Sequence, residues 1–225
     1  MATTPPVPTF EERVALHAAL AEPHRLAICD ALALSDRSPS ELAVLLNIAT
    51  NLLAHHLLVL SEAGLIETVA SDGDRRRRYV RLRDAARAVV APSTLRPASV
   101  LFVCTQNSAR SQFALALWRR TSTVPADSAG THPADRVHAE ARRTARRHGL
   151  DLSGAIPHAI DPASSPDLVV TVCDEANEEL RDGVGTQRIH WSIPDPARTR
   201  EPRSFELAWD AVASRVAMLT EAISA

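Results

Sequence analysis

The strongest structural signal in the sequence is the segment Ser99-Val100-Leu101-Phe102-Val103-Cys104-Thr105-Gln106-Asn107-Ser108-Ala109-Arg110-Ser111-Gln112. It begins with a short apolar run, rich in β-branched and aromatic residues, which is typical of a buried strand. Small polar residues follow this run, and a helical pattern opens at Ser111. The segment therefore predicts a strand, a loop and a helix in direct succession.

The residues of this loop are suited to nucleophilic chemistry on an oxyanion. A loop that leads into a helix N-terminus points backbone N–H groups and the positive end of the helix dipole at one spot, which favours a tetrahedral oxyanion and also a thiolate. Cys104 begins the loop, Arg110 offers a planar fork for two oxygens, and Ser111 can donate a hydrogen bond to the sulfur. The alternative is a buried core cysteine beside an unrelated surface arginine. We predict Cys104 as the nucleophile, with an oxyanion bound by Thr105, Gln106, Asn107, Ser108, Ala109 and Arg110.

Length and composition favour two modest domains. The chain has 225 residues, of which 45% are hydrophobic, and a formal charge of −2, so any binding to nucleic acid must depend on a local patch. Three cysteines cannot form a disulfide framework, and they indicate a reduced, cytoplasmic protein. Residues 1–8 do not have the pattern of a signal peptide, and polar residues interrupt the most apolar window, 42–60, so we expect no membrane span.

The N-terminal part has the pattern of a winged helix-turn-helix domain. Helix start signals occur at Thr9, Pro23 and Ser38, and a fourth helix is predicted from Thr50 to Ala63. Two short strands then flank an Asp-Gly turn. This order predicts an α+β winged helix-turn-helix, in which the fourth helix is the recognition helix and the hairpin is the wing.

Two groups of side chains in this domain are candidates for DNA contact. Thr50, Asn51 and His55 lie near the start of the recognition helix, where side chains reach base edges. The wing also carries a run of arginines, and the alternative to DNA contact is that these arginines only form a solvent-exposed surface. We expect double-stranded DNA as a partner, and binding that weakens steeply with salt because the wing carries Arg75, Arg76, Arg77 and Arg78.

The C-terminal part alternates strands with helices. Besides the strand before Cys104, strands are predicted at 124–128, 168–172 and 188–191, with helices at 111–120, 134–148, 174–181 and 204–223. This order predicts an α/β domain with a parallel sheet, helices on both faces and a ligand site at the carboxyl ends of the strands. A short helix is expected at 85–90. The predicted domains are residues 1–91 for DNA binding and 99–225 for catalysis, joined by a linker at 92–98.

The C-terminal part resembles the low-molecular-weight protein tyrosine phosphatases and the arsenate reductases built on the same fold. The resemblance covers roughly residues 98–225, and its motifs are residues 103–112, Ser128-Ala129-Gly130, 167–173 and 190–197. It implies a low-molecular-weight phosphatase-like fold. It also implies roles for two more residues, Asp195 as the general acid and Cys173 as a resolving thiol.

Within this resemblance, three positions favour arsenate over phosphotyrosine. Gln112 stands where the phosphatases usually have proline, and Ala197 stands in place of the tyrosine that holds phosphotyrosine. Cys173 stands where the reductases keep their first resolving cysteine. The thiol shuttle of the thioredoxin-coupled reductases is incomplete here. Ala109 stands in place of a second loop cysteine, Leu115 in place of an acidic residue of a cation site, and Leu180 in place of a third redox cysteine.

The resemblance implies an arsenate reductase that binds no cofactor and uses an external thiol. Cys104 would attack arsenate, Asp195 would protonate the leaving oxygen, and Cys173 or an external thiol would release arsenite. Mycothiol with mycoredoxin, glutathione with glutaredoxin, or thioredoxin are the candidate reductants. Cys173 could instead be a buried cysteine at a strand end. Two other functions stay open: a tyrosine phosphatase with the same regulator, and a transcription factor whose second domain only senses oxyanions.

The N-terminal part resembles the arsenic- and metal-responsive ArsR-type repressors. The resemblance implies a homodimer, formed through this domain, on a palindromic operator. Cys29 is the only thiol in this part, which excludes a site of three thiolates within it. We expect His55 to contact DNA and His56 to pack in the core, with no metal site. The matching residues are 22–28, 40–43, 54–60, 62–66 and 79–82.

Overall fold

The computed structural model describes residues 9–83, 86, 90, 94–180, 184–185, 187–198, 201 and 203–224. Its chain divides into two compact units. The first unit takes in the described residues up to Ala33, Arg37–Val69 and those of Arg78–Pro92. The second takes in Leu34–Asp36, Ala70–Arg77 and the described residues from 94 onward. The sequence does not predict that 34–36 and 70–77 belong to the second unit.

The first unit has the predicted order of helices and a hairpin. Its elements are α1 (Phe10–Leu20), α2 (Pro23–Leu32), α3 (Pro39–Leu46), α4 (Thr50–Glu62), β1 (Ile66–Ala70) and β2 (Arg78–Leu82). The capping boxes expected at the starts of α1 and α3 both form. Gly64 has a φ of +71°, a conformation that favours glycine, and it follows the end of α4. The core of this unit includes Ile28, Leu32, Leu42, Leu60 and Val80.

The second unit is an α/β domain. Its elements are β3 (Val100–Cys104), α5 (Arg110–Thr121), β4 (Ala126–Gly130), α6 (Ala139–Arg147), β5 (Leu168–Thr171), α7 (Asp174–Glu179), β6 (Gln187–His190) and α8 (Ser204–Ser224). The sheet order is β4-β3-β5-β6, and all three pairings are parallel. The predicted parallel sheet is thus confirmed. Strands β3 and β5 are buried at every position, as expected for strands covered on both faces.

Some predicted boundaries in the second unit are wrong. The helix predicted at 134–148 begins only at Ala139, because the N–H groups of Ala134 and His138 donate to the carbonyls of Gln106 and Ser108 in the loop that follows β3. The strand predicted at 124–128 lies at Ala126–Gly130. Most of the short helix expected at 85–90 falls outside the described residues.

Within the described ranges, no single helix is long and apolar enough to cross a bilayer. Helices α3 and α4 meet that requirement of length and composition only when taken together, and a bend of 113° separates them.

Candidate active site

Cys104 is the last residue of β3, at the carboxyl end of the parallel sheet. It is 2% exposed, but its surroundings are polar. The Asn107 backbone N–H donates to Sγ at 3.2 Å, and the Ser111 hydroxyl lies 3.1 Å from it. A hydrogen-bonded sulfur at the entrance to α5 is placed as a thiolate nucleophile needs to be.

The backbone of the loop presents its N–H groups to one side. The carbonyls of Cys104, Thr105, Gln106 and Ser108 accept hydrogen bonds from backbone N–H groups in the segment 131–138. The C=O and N–H groups of one peptide unit point in opposite directions. The N–H groups of these peptide units therefore point away from that segment, toward the side on which the Asn107 N–H meets the Cys104 sulfur. Such a concave set of N–H groups binds anions.

The Asn107 side chain holds the loop together. Its Nδ2 donates to Ser111 at 2.8 Å and to Ser128 at 3.0 Å. Its Oδ1 accepts from the His158 N–H at 3.1 Å and from Gln112 Nε2 at 3.1 Å. Asn107 itself has a φ of +50°. The sequence predicts Asn107 only as an oxyanion ligand, and its fully bonded amide is a structural role which that prediction missed.

Gly130 allows the loop to pack against β4. A Cβ at this position would lie 2.8 Å from the Thr105 carbonyl oxygen and 3.2 Å from the Asn107 nitrogen. Because both are backbone atoms, no side chain could be fitted without moving the loop. The close approach explains a glycine in the Ser128-Ala129-Gly130 motif.

Arg110 and Asp195 face each other beside the loop. Arg110 is 6% exposed; its Nη2 lies 3.4 Å from Asp195 Oδ2, and its Nη1 donates to the Ile193 carbonyl at 2.9 Å. Burial alone would lower the pKa of this guanidinium, but nearby acidic groups, which are ionised at the high pH where a guanidinium titrates, outweigh burial and raise it. Those groups are Cys173, Cys104, Asp195 and Asp72.

Cys173 follows β5 and lies at the same edge of the sheet. Its Sγ is 3.5 Å from the Thr105 hydroxyl oxygen, and that hydroxyl donates its proton to Glu175 at 3.0 Å. Burial raises the pKa of the Cys173 thiol to about 11, although Arg110 acts in the opposite direction. Cys173 is therefore a neutral thiol near pH 7, within the electrostatic reach of both Arg110 and Cys104.

Asp72 is a residue of this unit that the sequence did not assign to the site. Its Oδ2 accepts the Asp195 N–H at 3.0 Å, and its own N–H donates to Asp174 Oδ2 at 2.7 Å. Arg198 Nη1 donates to the Asp72 carbonyl at 3.0 Å. The turn that contains Asp72 and Gly73 thus fixes the backbone of the segment that carries Asp195, the predicted general acid. The sequence signal, an Asp-Gly pair, indicates only a hairpin turn.

Asp174 is buried beside Asp72. Burial alone would raise its pKa, but the hydrogen bonds from His190, at 3.0 Å, and from the Asp72 N–H hold it below the ordinary value. Asp174 is therefore a buried anion that anchors the turn at Asp72.

The comparison with known families agrees with this geometry. Residues 99–225 match the model of the low molecular weight phosphotyrosine protein phosphatase family. The chain belongs to this family. Residues 20–69 match a helix-turn-helix domain, so the chain joins that domain to a member of the phosphatase family.

Several curated relatives of the chain are named as arsenate reductases. The chain is 30% identical over 128 residues to an arsenate reductase of Brevibacillus brevis, a match covering 55% of this chain and 94% of that protein. It is 33% identical over 110 residues to a putative arsenate reductase of Halobacterium salinarum, covering 42% of this chain and 72% of that protein. Among solved structures, the tyrosine phosphatase Wzb from Escherichia coli K30 has a TM-score of 0.50 at 24% identity, covering 56% and 97%, and shows the shared fold.

The predicted DNA-contacting residues are solvent-exposed. Thr50, Asn51 and His55 lie on the exposed side of α4, whereas Leu53, His56 and Leu60 of the same helix are buried. Arg76 pairs with Asp74 at 3.0 Å and remains 90% exposed. The role of Thr50, Asn51, His55 and the hairpin arginines in DNA contact stays a prediction. The structure also leaves exposed the basic run of the hairpin, Arg75, Arg76, Arg77 and Arg78.

Proposed function

We propose that the protein reduces arsenate to arsenite with Cys104 as the nucleophile. The observation that carries this proposal is the hydrogen-bonded Cys104 sulfur in a loop whose N–H groups converge, with a second thiol, Cys173, beside Thr105. Arsenate reductases among the relatives support the same chemistry. Thr105, Gln106, Asn107, Ser108, Ala109 and Arg110 would hold the oxyanion.

The first step forms a bond between sulfur and arsenic. The Cys104 thiolate attacks arsenate, and one arsenic–oxygen bond breaks as Asp195 protonates the leaving oxygen, which departs as water. The arsenic is still pentavalent at this stage. Arg110, whose pKa is raised, stays charged and stabilises the negative oxygens.

The second step transfers two electrons. A thiolate attacks the Cys104 sulfur, and the electron pair of the sulfur–arsenic bond stays on arsenic, which leaves as arsenite. The two sulfurs are oxidised to a disulfide. We propose Cys173 as the attacking thiol, and an external thiol system (mycothiol with mycoredoxin, glutathione with glutaredoxin, or thioredoxin) as the reductant that reopens the disulfide. No bound cofactor is needed.

Residue chemistry around the site favours arsenate over phosphotyrosine. The sequence contains a single tyrosine, Tyr79, and that residue lies in the first unit. Ala197, after Asp195-Pro196, has no ring to stack on a phosphotyrosine, and its N–H donates to Asp195 Oδ1 at 3.0 Å. A second thiol beside the nucleophile serves reduction but has no role in hydrolysis.

One set of assays distinguishes an arsenate reductase from a tyrosine phosphatase and from an oxyanion sensor. The purified chain is incubated with arsenate and each thiol system, and arsenite is measured beside hydrolysis of p-nitrophenyl phosphate. We expect arsenite in amounts equal to the disulfide formed, with a kcat/KM at least about tenfold above that for the phosphate ester, a barrier difference of about 1.4 kcal/mol. Ester hydrolysis without arsenite would make the protein a phosphatase. Arsenate binding without either product would make it a sensor.

We propose further that the helix-turn-helix part is an ArsR-type regulator that binds operator DNA. The exposed side chains Thr50, Asn51 and His55 on α4 support base contacts, and the exposed arginines 75–78 support phosphate contacts. In gel shifts on the promoter of its own gene, Asn51→Ala should weaken the preference for the specific site. Arg77→Ala should weaken all DNA binding and reduce its salt dependence. Equal binding of both variants and wild type would contradict the proposal.

A homodimer through the first unit, in the cytoplasm, completes this proposal. Phe10 and Val14 are 72% and 50% exposed on successive turns of α1, which supports a second copy of the chain as the partner of this apolar face. Three free cysteines fit a reducing compartment. Sedimentation should give a dimer for the wild type and a monomer for Phe10→Glu. A monomeric wild type would contradict the dimer.

A further inference from the structure

Three potential metal ligands converge in the first unit. Glu22 precedes α2, His24 lies in its first turn, and His56 lies in the middle of α4. Each offers one ligand atom, and these atoms all lie within 4.8 Å of one another. His24 Nδ1 is 2.8 Å from Glu22 Oε1, and the two imidazole rings stack with centroids 5.3 Å apart. Packing of α2 against α4 creates this cluster.

His56 is the residue that marks the cluster as a site. It is 5% exposed, and neither of its ring nitrogens has a hydrogen-bond partner among the residues that the structure describes. The nearest carboxylate oxygen, Glu22 Oε2, is 3.5 Å from Nδ1, which is too long for a good hydrogen bond. Buried polar groups are almost always paired, so an unpaired imidazole that faces a carboxylate indicates a ligand between them.

We propose that Glu22, His24 and His56 bind a divalent cation of the zinc type. Two imidazoles and one carboxylate form a donor set that suits Zn²⁺, Co²⁺ or Ni²⁺, whereas Mg²⁺ and Ca²⁺ prefer oxygen ligands alone. Three protein ligands leave at least one coordination position for water. The sequence predicts no metal site, because His56 lies far along the chain from Glu22 and His24, and the three residues match no metal-binding motif.

The site needs only a small adjustment to close around an ion. Tetrahedral coordination at about 2.0–2.1 Å puts ligand atoms about 3.4 Å apart, so the largest separation, which is no more than 4.8 Å, must shrink by at most about 1.4 Å. The side chain of His24 is 46% exposed and can move, whereas His56 is fixed by burial. Glu22 Oε2 also accepts the Arg25 N–H at 2.9 Å and caps α2. A carboxylate has enough lone pairs for both roles.

A bound ion would tie the start of α2 to α4. Helix α4 carries Thr50, Asn51 and His55, so the ion would stiffen the helix that is proposed to contact DNA. Any effect of the ion on DNA affinity would be matched by an equal effect of DNA on ion affinity. This consequence rests on the proposed DNA binding, but the site itself does not.

The test is a Co²⁺ titration of the full chain, followed by visible absorption, with Zn²⁺ as the competitor. We expect one equivalent of Co²⁺ to bind and Zn²⁺ to displace it. His24→Ala, at an exposed position, should fold normally and weaken the affinity at least about tenfold. His17→Ala, an exposed histidine on α1, is the matched control and should bind as the wild type does.

The catalytic thiols are the competing ligands, and a second background removes them. In a full chain with Cys104→Ser and Cys173→Ser, the His24-dependent equivalent should persist, without the thiolate charge-transfer band. Loss of the bound Co²⁺ in this background would place the metal at the thiols and overturn the proposal. Equal Co²⁺ affinity of His24→Ala and wild type, or no binding by either, would overturn it as well.

Discussion

The side-chain nitrogen of Asn107 lies 2.8 Å from the Ser111 hydroxyl oxygen. The orientation of this amide is fixed, because the His158 N–H can only donate and must therefore face Asn107 Oδ1. Ser111 accordingly accepts from Asn107, which leaves its own proton for the Cys104 sulfur, 3.1 Å away. One chain of hydrogen bonds thus runs from the backbone of residue 158 to the sulfur of Cys104, the proposed nucleophile.

Ser111→Ala should slow catalysis without unfolding the protein. The variant removes a hydrogen bond to a thiolate, and hydrogen bonds to charged groups contribute about 1.5–3 kcal/mol. We expect kcat for arsenate to fall by about 10- to 100-fold. Ser153→Ala, at an exposed serine of the same unit, is the control. A kcat for Ser111→Ala within about twofold of wild type would show that the sulfur does not depend on this hydroxyl.

Asn107→Ala should destabilise the second unit. Truncation leaves the His158 N–H and the hydroxyls of Ser111 and Ser128 short of a partner in a buried loop. Each lost partner costs about 1 kcal/mol or more, so we expect the free energy of unfolding to fall by about 2–4 kcal/mol. Tryptophan fluorescence in a urea titration measures this, since all three tryptophans, Trp118, Trp191 and Trp209, lie in the second unit. An unchanged midpoint would contradict the scaffold role.

Cys173 should give arsenite release a steep pH dependence. The thiolate attacks, and burial raises the pKa of this thiol to about 11, so its ionised fraction grows about tenfold per pH unit below that value. In a single turnover without external thiol, we expect the rate to rise in this way between about pH 7 and 10. Mass spectrometry should then find a Cys104–Cys173 disulfide.

The matched variants for this prediction are Cys173→Ser and Cys29→Ser. Cys29→Ser should leave the single turnover intact, because this buried thiol lies in the first unit. Cys173→Ser should abolish it. Full activity of Cys173→Ser with a small-thiol reductant, together with no disulfide in the wild type, would exclude Cys173 as the internal resolving thiol.

Asp72 should act on catalysis by positioning the Asp195 segment. Asp72→Ala removes the acceptor of the Asp195 N–H, and we expect kcat to fall about tenfold, or about 1.4 kcal/mol. Asp72→Asn keeps an acceptor oxygen but removes a negative charge that acts on Arg110. It should therefore keep kcat and lower KM for arsenate about two- to fivefold. Identical kcat and KM in both variants and wild type would show that the turn has no catalytic role.

The sequence predicts the features that depend on neighbouring residues. The strand, loop and helix at residues 99–112 depend on neighbouring residues, so the local sequence pattern is sufficient to predict them. The alternation of strands and helices is sufficient to predict the parallel sheet. The capping boxes at Thr9 and Ser38 form for the same reason. Asp195 and Cys173 have no local signal of their own and could be proposed only from the family resemblance.

Contacts between distant parts of the chain escape such prediction. The hydrogen bonds from Asn107 to Ser128 and His158 and the pairing of Asp72 with Asp195 depend on how the elements pack. The late start of α6 is a further case, because the N–H groups of Ala134 and His138 donate to carbonyls of the loop between β3 and α5 instead of within a helix. Hydrophobic periodicity in the sequence does not predict these long-range hydrogen bonds.

The most direct test of the Cys104 sulfur as the nucleophile is to measure arsenite formation by Cys104→Ser in the presence of excess arsenate and thiol. The serine variant preserves size and hydrogen bonding but lacks a thiolate, so we predict no arsenite above the uncatalysed background and retention of the wild-type fold. Arsenite formation at the wild-type rate would contradict a sulfur nucleophile at residue 104.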